Sequence, residues 1–307
     1  MKVLILTEAG STIGFGHLTR SIALYQGFDE EKIDVEIVVN WDREAEYLLK
    51  GIKHKIFNWL QNRNKIFETI KEMDIVIIDS YTADLEFYQQ VSKIVRIPVY
   101  IDDYVRLDYP RGTVISPSIY GDKLNYPEKD GVRYLLGKDY IILRKEFRDV
   151  PEKKIKRKIK NILITFGGAN HQNLAKKFSE YLKDKFNFNI YIVDPRMKFT
   201  AKDMVNFMLK ADLCISGGGQ TTYELARVGV PTIGICFAEN QLNNLIYGQK
   251  EGYLEFVGWY DEENLIIALE NIIKELDYNK RKIMNRKGKA MIDGIGVKNI
   301  VRKIKSS

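Results

Sequence analysis

The chain has 307 residues, of which 45% are hydrophobic and 29% charged, and it carries a formal net charge of +7. These values are typical of a soluble globular protein with one large or two medium domains. No apolar run approaches the roughly 18 residues that a membrane-spanning helix needs, and the small cationic excess gives only weak support for an anionic ligand.

The cysteines and histidines give no sign of a metal site. Cys214 and Cys236 lie in the apolar runs DLCIS and TIGICF, so we expect reduced core residues in a reducing compartment. With only three scattered histidines beside them, we expect no metal and no cofactor. The N-terminal MKVLILTEAG has too short an apolar run for a signal peptide and predicts a first strand. We therefore expect a cytoplasmic monomer that binds no nucleic acid.

In the first half of the sequence, apolar strands alternate with helical segments. Strands are predicted at 2–6, 34–40, 74–79 and 97–102, with a helical stretch near 83–95. Such alternation is typical of βαβ units and a parallel sheet. The pattern loosens over 110–150, and the basic run EKKIKRKIK follows at 152–160. We interpret that run as a solvated connection, with an anion-binding or membrane-surface patch as the alternative.

The same order of elements begins again at residue 161. NILITFGGANHQNLAKKFSEYL predicts a strand, a glycine pair and a helix. Further strands are predicted at 189–193, 211–216, 231–237 and 253–258, and helices from 262 onward, interrupted by DGIG at 293–296. The sequence therefore predicts an α/β protein of two doubly wound Rossmann-like domains, 1–150 and 151–307, with the last helix packing back on the first domain. Because ligands of such sheets bind beyond the carboxyl ends of the strands, we expect a ligand in a cleft between the domains.

The first glycine loop, GSTIGFGHLTR at 10–20, follows the first strand. A dinucleotide fingerprint needs a third glycine where Thr19 stands and an acidic residue where the second strand ends in Asn40, so we reject NAD binding. Gly14 and Gly16 would instead let the backbone come close to another kind of ligand.

His17 stands at the start of the predicted helix. The positive field of a helix N-terminus favours anions and a neutral imidazole, which can accept a proton from water. His17 is then either a general base or only a helix cap. Arg20, one turn later, holds either a phosphate or a core carboxylate.

The second glycine loop, SGGGQTTYELARVGVPTI at 216–233, has three glycines between a strand and a helix. That arrangement suits a phosphate, without the lysine of a Walker motif. Glu224 either accepts the ribose hydroxyls of a nucleotide or completes a capping box with Thr221. In FAENQLNN at 237–244, Asn240 is either an N-cap or an amide that bonds to a sugar or diphosphate.

Taken together, these motifs resemble the nucleotide-sugar hydrolases of the pseudaminic acid pathway. Members of that family cleave UDP-2,4-diacetamido-2,4,6-trideoxy-β-L-altropyranose and are relatives of the MurG-type glycosyltransferases of GT-B fold. The resemblance covers nearly the whole chain, with GxGHxxR at the start, DSY after a mid-domain strand, YIILRKEF before the linker, CISGGGQTTYELARVGVPT followed by AENQ, and DGIG near the end. It implies a GT-B-like fold with an interdomain cleft, and metal-free hydrolysis at the anomeric carbon that releases UDP and the free sugar.

The resemblance also implies a role for each matching residue. His17 would be the base or positioner for the attacking water, Tyr81 would contact the sugar or the water, and Arg144 would sit near the phosphates or the sugar. In the second domain, the glycine loop would meet the diphosphate, Glu224 the ribose, and Asn240 the substrate. The full set of implied substrate-binding residues is Gly14, Gly16, Arg20, Arg144, Gly218, Gly219, Gln220, Thr221, Glu224, Asn240 and Gln241.

Two other functions fit the same sequence. A MurG-like glycosyltransferase would use the same UDP-sugar donor for a surface polysaccharide or glycolipid, and a lipid-linked acceptor would predict an exposed apolar patch on the first domain. The weak candidate for that patch is KIFNWL at 55–60, which core packing explains better. The third function is a non-catalytic nucleotide-sugar-binding subunit that lends its site to a membrane partner, although the presence of both halves in one chain argues against it.

Overall fold

A computed structural model of the chain describes residues 1–10, 14–41, 43–167, 171–193 and 198–306. The chain divides into two compact units. Unit 1 comprises Met1–Lys145 and Ile295–Ser307, and unit 2 comprises Glu146–Gly294. Within the described ranges, no helix is both long enough and apolar enough to cross a bilayer.

Unit 1 is built on a parallel sheet with helices on both faces. Its strands are β1 (Lys2–Ala9), β2 (Asp34–Trp41), β3 (His54–Ile56), β4 (Ile75–Asp79), β5 (Ile97–Ile101), β6 (Gly112–Ser116) and β7 (Val132–Leu136), in the order β3-β2-β1-β4-β5-β6-β7. The helices between them are α1 (Gly16–Glu30), α2 (Arg63–Ile70) and α3 (Leu85–Ile94), with 3₁₀ turns at Arg43–Leu49, Gly121–Lys123 and Lys138–Tyr140. The strands β3, β6 and β7 lie outside the set predicted from the sequence.

The residues of β1 alternate between two cores, as the pleat of a strand requires. Val3 and Ile5 lie in one apolar cluster with α1, and Leu4 and Leu6 lie in a second with α2 and α3. Trp59, in the KIFNWL segment, is fully buried in the second cluster. For Trp59, core packing is therefore the correct interpretation, and not an exposed apolar patch.

Unit 2 is a smaller parallel sheet of the same kind. Its strands are β8 (Asn161–Thr165), β9 (Asn189–Val193), β10 (Leu213–Gly217), β11 (Thr232–Cys236) and β12 (Leu254–Trp259), in the order β12-β11-β10-β8-β9. Its helices are α4 (Gln172–Phe186), α5 (Ala201–Lys210), α6 (Thr221–Val228), α7 (Glu239–Glu251), α8 (Leu265–Glu275) and α9 (Tyr278–Met291). A 3₁₀ turn at Lys145–Phe147 begins with the last residue of the first segment of unit 1. The glycine pair predicted after β8 extends beyond Gly167 into residues outside the described ones. Both cysteines are buried and free.

The last helix, α10 (Gly296–Lys305), belongs to unit 1 and packs on α1. The two helices touch closely at Gly27, because a Cβ atom there would lie 2.4 Å from Cγ1 of Val297. Val297, Ile300, Val301 and Ile304 complete the apolar cluster over α1. The chain therefore returns to its first unit after completing the second.

The basic run at 152–160 is partly integrated into unit 2. Lys153 is 6% exposed, and its Nζ atom donates to the carbonyl oxygens of Met208, Leu209 and Ala211 at the end of α5. Lys156 forms an ion pair with Asp212 at 3.3 Å. A fully solvated connection is therefore wrong for Lys153, which stabilises a helix terminus.

Candidate active site

The start of α1 places His17 inside unit 1. His17 is the second residue of the helix and is 5% exposed. The helix has Phe15 as its N-cap and no side-chain capping bond, so the interpretation of His17 as a helix cap is wrong. Its side chain reaches instead toward the carboxyl end of β4, the neighbour of β1 in the sheet.

Asp79, the last residue of β4, orients the His17 ring. The Asp79 side chain is fully buried, and its Oδ1 lies 2.6 Å from Nδ1 of His17. Because an ionised carboxylate only accepts hydrogen bonds, we assign the proton to Nδ1 of the imidazole. In the neutral ring, Nε2 then carries the lone pair, which is the arrangement that a general base needs.

Arg20 lies one helical turn after His17 and on the same face of α1. Its Nε donates to Oδ2 of Asp79 at 2.6 Å, and its Nη2 donates to Oδ1 at 2.6 Å. Its Nη1 donates to both carboxylate oxygens of Asp103, at 2.8 and 2.9 Å. Of the two partners expected for Arg20, the structure thus shows the core carboxylate.

Tyr81 completes the cluster. Its hydroxyl donates to Oδ2 of Asp103. Its ring meets the His17 ring edge-on, with 4.3 Å between the ring centroids. The contacts therefore close a ring, which we call the His17 network and which consists of His17, Asp79, Arg20, Asp103 and Tyr81.

The charges of the His17 network set the protonation of Asp79, Arg20 and Tyr81. Burial alone would raise the pKa of Asp79, but the charges and hydrogen bonds of Arg20 and His17 lower it to about 2. Burial opposes the charge of Arg20, yet Asp103 and Asp79 raise its pKa well above the ordinary value. Burial and the adjacent charge of Asp103 raise the pKa of the Tyr81 phenol far above its usual range. Asp79 is therefore anionic and Tyr81 neutral at physiological pH.

Sequence reasoning assigned no role to Asp79 or Asp103. Asp79 is the last residue of the predicted strand 74–79, and Asp103 directly follows the predicted strand 97–102. Asp79 is 62 positions from His17 in the chain. The available signal was their place at the carboxyl ends of neighbouring parallel strands, the edge where such sheets bind ligands.

The glycines of the first loop have different requirements. Gly14 has a φ of +79° and pairs with Gly10 through backbone hydrogen bonds, of which the one from its own N–H is 2.7 Å long. Gly14 thus occupies a left-handed conformation that favours glycine. Gly16 opens α1, and a Cβ atom there would meet nothing within 4 Å. Residues 11–13 of the motif lie outside the described ones.

Arg144 is also buried in unit 1, at 9% exposure. Burial raises the pKa of Tyr47, and the nearby charge of Arg144 opposes that rise. The positive charge of Arg144 is thus close enough to act on the Tyr47 phenol.

In unit 2, the second glycine loop is braced by α7. Gln241 accepts the backbone N–H of Gly218 at 3.1 Å and that of Phe237 at 3.3 Å through the same side-chain oxygen. Asn244 donates to the carbonyl oxygen of Gly218 at 3.0 Å. A Cβ atom on Gly218 would lie 2.7 Å from Leu245, whereas one on Gly219 would meet nothing within 4 Å. Gly218 is therefore required by packing, and Gly219 leaves open space where a ligand could approach.

Two capping interpretations of this region are wrong. The N-cap of α6 is Gln220, without a side-chain capping bond, and Thr221 is the first helical residue, so Thr221 does not form a capping box with Glu224. The N-cap of α7 is Ala238, which leaves Asn240 as an exposed residue of the first helical turn. Glu224 is 4% exposed within α6.

The sequence model of the Glycosyltransferase family 28 C-terminal domain matches residues 142–296, just over half of the chain. The chain belongs to this family. An uncharacterized protein of Methanocaldococcus jannaschii is 26% identical over 285 residues, covering 80% of this chain and 57% of that protein. This chain thus spans less than two thirds of that relative's length.

Two further relatives carry functional names. The spore coat polysaccharide biosynthesis protein SpsG of Bacillus subtilis is 23% identical, covering 97% of this chain and 96% of SpsG. The pseudaminic acid cytidylyltransferase and UDP-2,4-diacetamido-2,4,6-trideoxy-β-L-altropyranose hydrolase of Helicobacter pylori is 23% identical, covering 79% of this chain and 46% of that protein.

Solved structures confirm the fold class. MurG of Acinetobacter baumannii superposes with a TM-score of 0.67 at 14% identity, covering 100% of both chains. The Streptomyces glycosyltransferase SsfS6 superposes with a TM-score of 0.64 at 13% identity, also covering 100% of both chains. The predicted GT-B-like fold of two Rossmann-like domains is therefore correct.

Proposed function

We propose that this protein is a hydrolase of a UDP-activated 2,4-diacetamido-2,4,6-trideoxy sugar, and that it releases UDP and the free sugar for the biosynthesis of a nonulosonic acid of the pseudaminic type. The family membership supports a nucleotide-sugar substrate. The hydrolase named in the Helicobacter pylori relative supports the reaction and the sugar.

The crowding around His17 is the observation that carries the proposal. The imidazole is 5% exposed, Asp79 holds one of its nitrogens, and Tyr81 packs edge-on against its ring. A base enclosed in this way suits a small nucleophile such as water. A transferase would have to admit the hydroxyl of a much larger acceptor at the same nitrogen.

In the proposed reaction, Nε2 of His17 takes one proton from water as the water oxygen attacks the anomeric carbon. The bond between that carbon and the diphosphate oxygen breaks, and its electron pair leaves with UDP. The Tyr81 O–H group donates a hydrogen bond to Asp103, so the Tyr81 oxygen presents its lone pairs and can accept a hydrogen bond from the second O–H of the water. A general base of this kind contributes about 10²–10⁴-fold to the rate.

Unit 2 supplies the groups proposed to bind the nucleotide. Gly218, Gly219 and Gln220 are proposed to meet the diphosphate together with the N-terminus of α6, whose dipole favours an anion. The N–H group of Gly218 is held by Gln241, so Gly218 contributes a close approach of the backbone and not a donor. Glu224 is proposed for the ribose. The other residues proposed to face the substrate are Gly14, Gly16 and Arg144 in unit 1, and Thr221, Asn240 and Gln241 in unit 2. Because donors at the departing oxygen interact more strongly as the bond breaks, they lower the barrier as well as hold the ground state.

A glycosyltransferase that uses the same donor is the second candidate, because the matching family is a glycosyltransferase family. It predicts little turnover without an acceptor. A non-catalytic binding subunit predicts UDP binding and no turnover under any condition.

The deciding experiment uses the purified chain and UDP-2,4-diacetamido-2,4,6-trideoxy-β-L-altropyranose without acceptor, in water enriched in ¹⁸O, followed by NMR and mass spectrometry. We expect stoichiometric UDP and free sugar, with ¹⁸O in the sugar because the anomeric carbon is attacked. His17→Ala should lower kcat by about 10²–10⁴-fold and leave UDP affinity unchanged.

The matched control is His54→Ala, since His54 lies in the same unit and its Nδ1 contacts only the nearby carbonyl of Ile52 at 2.8 Å among its described bonds. That variant should keep wild-type turnover. Label in UDP instead of the sugar, or an unchanged rate in His17→Ala, would contradict the mechanism. Turnover that appears only with an acceptor would establish the transferase.

A further inference from the structure

A buried acid lies directly beside the His17 network but does not belong to it. Glu8, near the end of β1, has a fully buried side chain. One of its oxygens, Oε2, has no hydrogen-bond partner among the described residues. Burying a carboxylate costs stability, and an apolar residue of similar volume is often as stable. The presence of Glu8 therefore calls for a role other than stability.

The other oxygen of Glu8 fastens the segment after β4. Oε1 of Glu8 accepts hydrogen bonds from the hydroxyl of Ser80 and, at 2.5 Å, from that of Thr82. The Ser80 hydroxyl oxygen in turn accepts the backbone N–H groups of Thr82 at 3.1 Å and Ala83 at 2.9 Å. Residues 80 to 83 are thus tied to a single buried carboxylate.

Tyr81 is the residue between the two anchored hydroxyls. Its own side chain contacts His17 and Asp103, not Glu8. Ser80 and Thr82 therefore fix the backbone on both sides of Tyr81, and this fixes where the phenol ring meets the imidazole.

We propose that Glu8 is a positioning residue that holds Tyr81 against His17 through Ser80 and Thr82. This inference rests on the proposed role of Tyr81 at the attacking water. Glu8 does not touch the substrate or transfer a proton. It sets the distance between His17, which takes a proton from the water, and Tyr81, which accepts a hydrogen bond from it.

The activity test is a double-mutant cycle with Glu8→Ala and Tyr81→Ala. We expect Glu8→Ala to lower kcat by about the same factor as Tyr81→Ala and to change KM less than twofold. The double variant should be no slower than Tyr81→Ala, because residues that act as one unit are not additive. Glu8→Gln keeps an oxygen that can accept from both hydroxyls, so it should restore most of the wild-type kcat.

Ile70→Ala serves as the control for a general loss of stability. Ile70 is fully buried in the apolar cluster that contains Leu4 and Leu6, and it belongs to α2. It should lower the thermal midpoint without the fall in kcat. Additive effects of Glu8→Ala and Tyr81→Ala, or no rescue by Glu8→Gln, would overturn the proposal.

A second readout does not depend on any activity. The chain has only three histidines, so the imidazole proton resonances of His17 are assignable in NMR spectra by substitution. Removal of the edge-on ring of Tyr81 should shift them. Glu8→Ala should move them in the same direction, and Ile70→Ala should not. His17 resonances that stay in place in Glu8→Ala would overturn the positioning role even if the protein hydrolyses no sugar nucleotide. If the shift occurs without hydrolysis, the proposed function fails and the positioning role stands.

Discussion

Asp79→Asn measures how much the buried carboxylate of Asp79 contributes to the stability of unit 1. The Asp79 carboxylate is fully buried and accepts three hydrogen bonds of 2.6 Å from His17 and Arg20. Its pKa falls from an ordinary 3.8 to about 2. At about 1.4 kcal/mol for each pKa unit, the ionised form stabilises the fold by about 2 kcal/mol.

The sign of the pH dependence follows from the lowered pKa. The unfolded chain binds a proton at Asp79 below about pH 4, whereas the folded protein binds it only near pH 2. The stabilisation is therefore complete above about pH 4 and is lost as the pH falls toward 2. The free energy of unfolding of Asp79→Asn should lack this pH-dependent contribution. The contributions of the other carboxylates are the same in both proteins, so they cancel in the difference from wild type.

The measurement is urea unfolding in a Trp259→Phe background, followed by tryptophan fluorescence between pH 7 and pH 2.5. The remaining tryptophans, Trp41 and Trp59, both belong to unit 1. We expect Asp79→Asn to cost at least about 2 kcal/mol at pH 7, since removal of one partner leaves Arg20 less compensated, and the difference should shrink toward low pH. The exposed Asp29 provides the control, because Asp29→Asn makes the same chemical change outside the network. A stability difference below about 0.5 kcal/mol at pH 7, or one that does not vary with pH, would refute the reasoning.

Two further predictions use matched pairs in unit 2. Gly218→Ala should weaken UDP binding and lower the stability of unit 2, because its methyl group would lie 2.7 Å from Leu245 and 2.9 Å from Gln241. A methyl group at Gly219 would meet nothing within 4 Å, so Gly219→Ala should fold like wild type. Calorimetry measures the binding and thermal unfolding the stability, and equal stability of the two variants would contradict the packing argument. Lys153→Met should destabilise unit 2 by about 1–3 kcal/mol, because carbonyl groups at the end of α5 lose their donor. Lys154 is exposed, so Lys154→Met should have little effect in the same unfolding assay. Equal effects of the two substitutions would show that Lys153 does not cap the helix.

The strand pattern was visible in the sequence where strands are buried on both faces. Runs such as 74–79 and 231–237 are largely apolar and match the buried strands β4 and β11 to within a residue. The missed strand β3 has only three residues, and β7 forms the opposite edge of the sheet. Edge strands of this kind, and β6 among the prolines at 110–127, do not produce a long apolar run.

His17, the proposed catalytic base, could be singled out from the sequence because the signal that points to it is local. A glycine-rich loop, a strand before it and a helix after it are all contained in about 20 residues. Asp103, by contrast, is 83 positions from Arg20 and meets it only once β5 lies near β4 in the sheet. Contacts of that kind depend on strand order, which a single sequence does not specify.

The same network bears on how the charge of a reaction would be distributed. Arg20 carries one positive charge and contacts two carboxylates, Asp79 and Asp103. Its donors at Nε, Nη1 and Nη2 are thus used within the protein, which leaves the diphosphate of the proposed substrate to the glycine loop and Arg144. With His17 neutral, these three charged groups sum to one negative charge. When His17 takes a proton from water, the imidazolium balances that charge, so the network stabilises the transition state more than the resting enzyme. In the proposed step, the orientation of the His17 ring and the position of Arg20 thus depend on two aspartates, which lie at the ends of neighbouring strands.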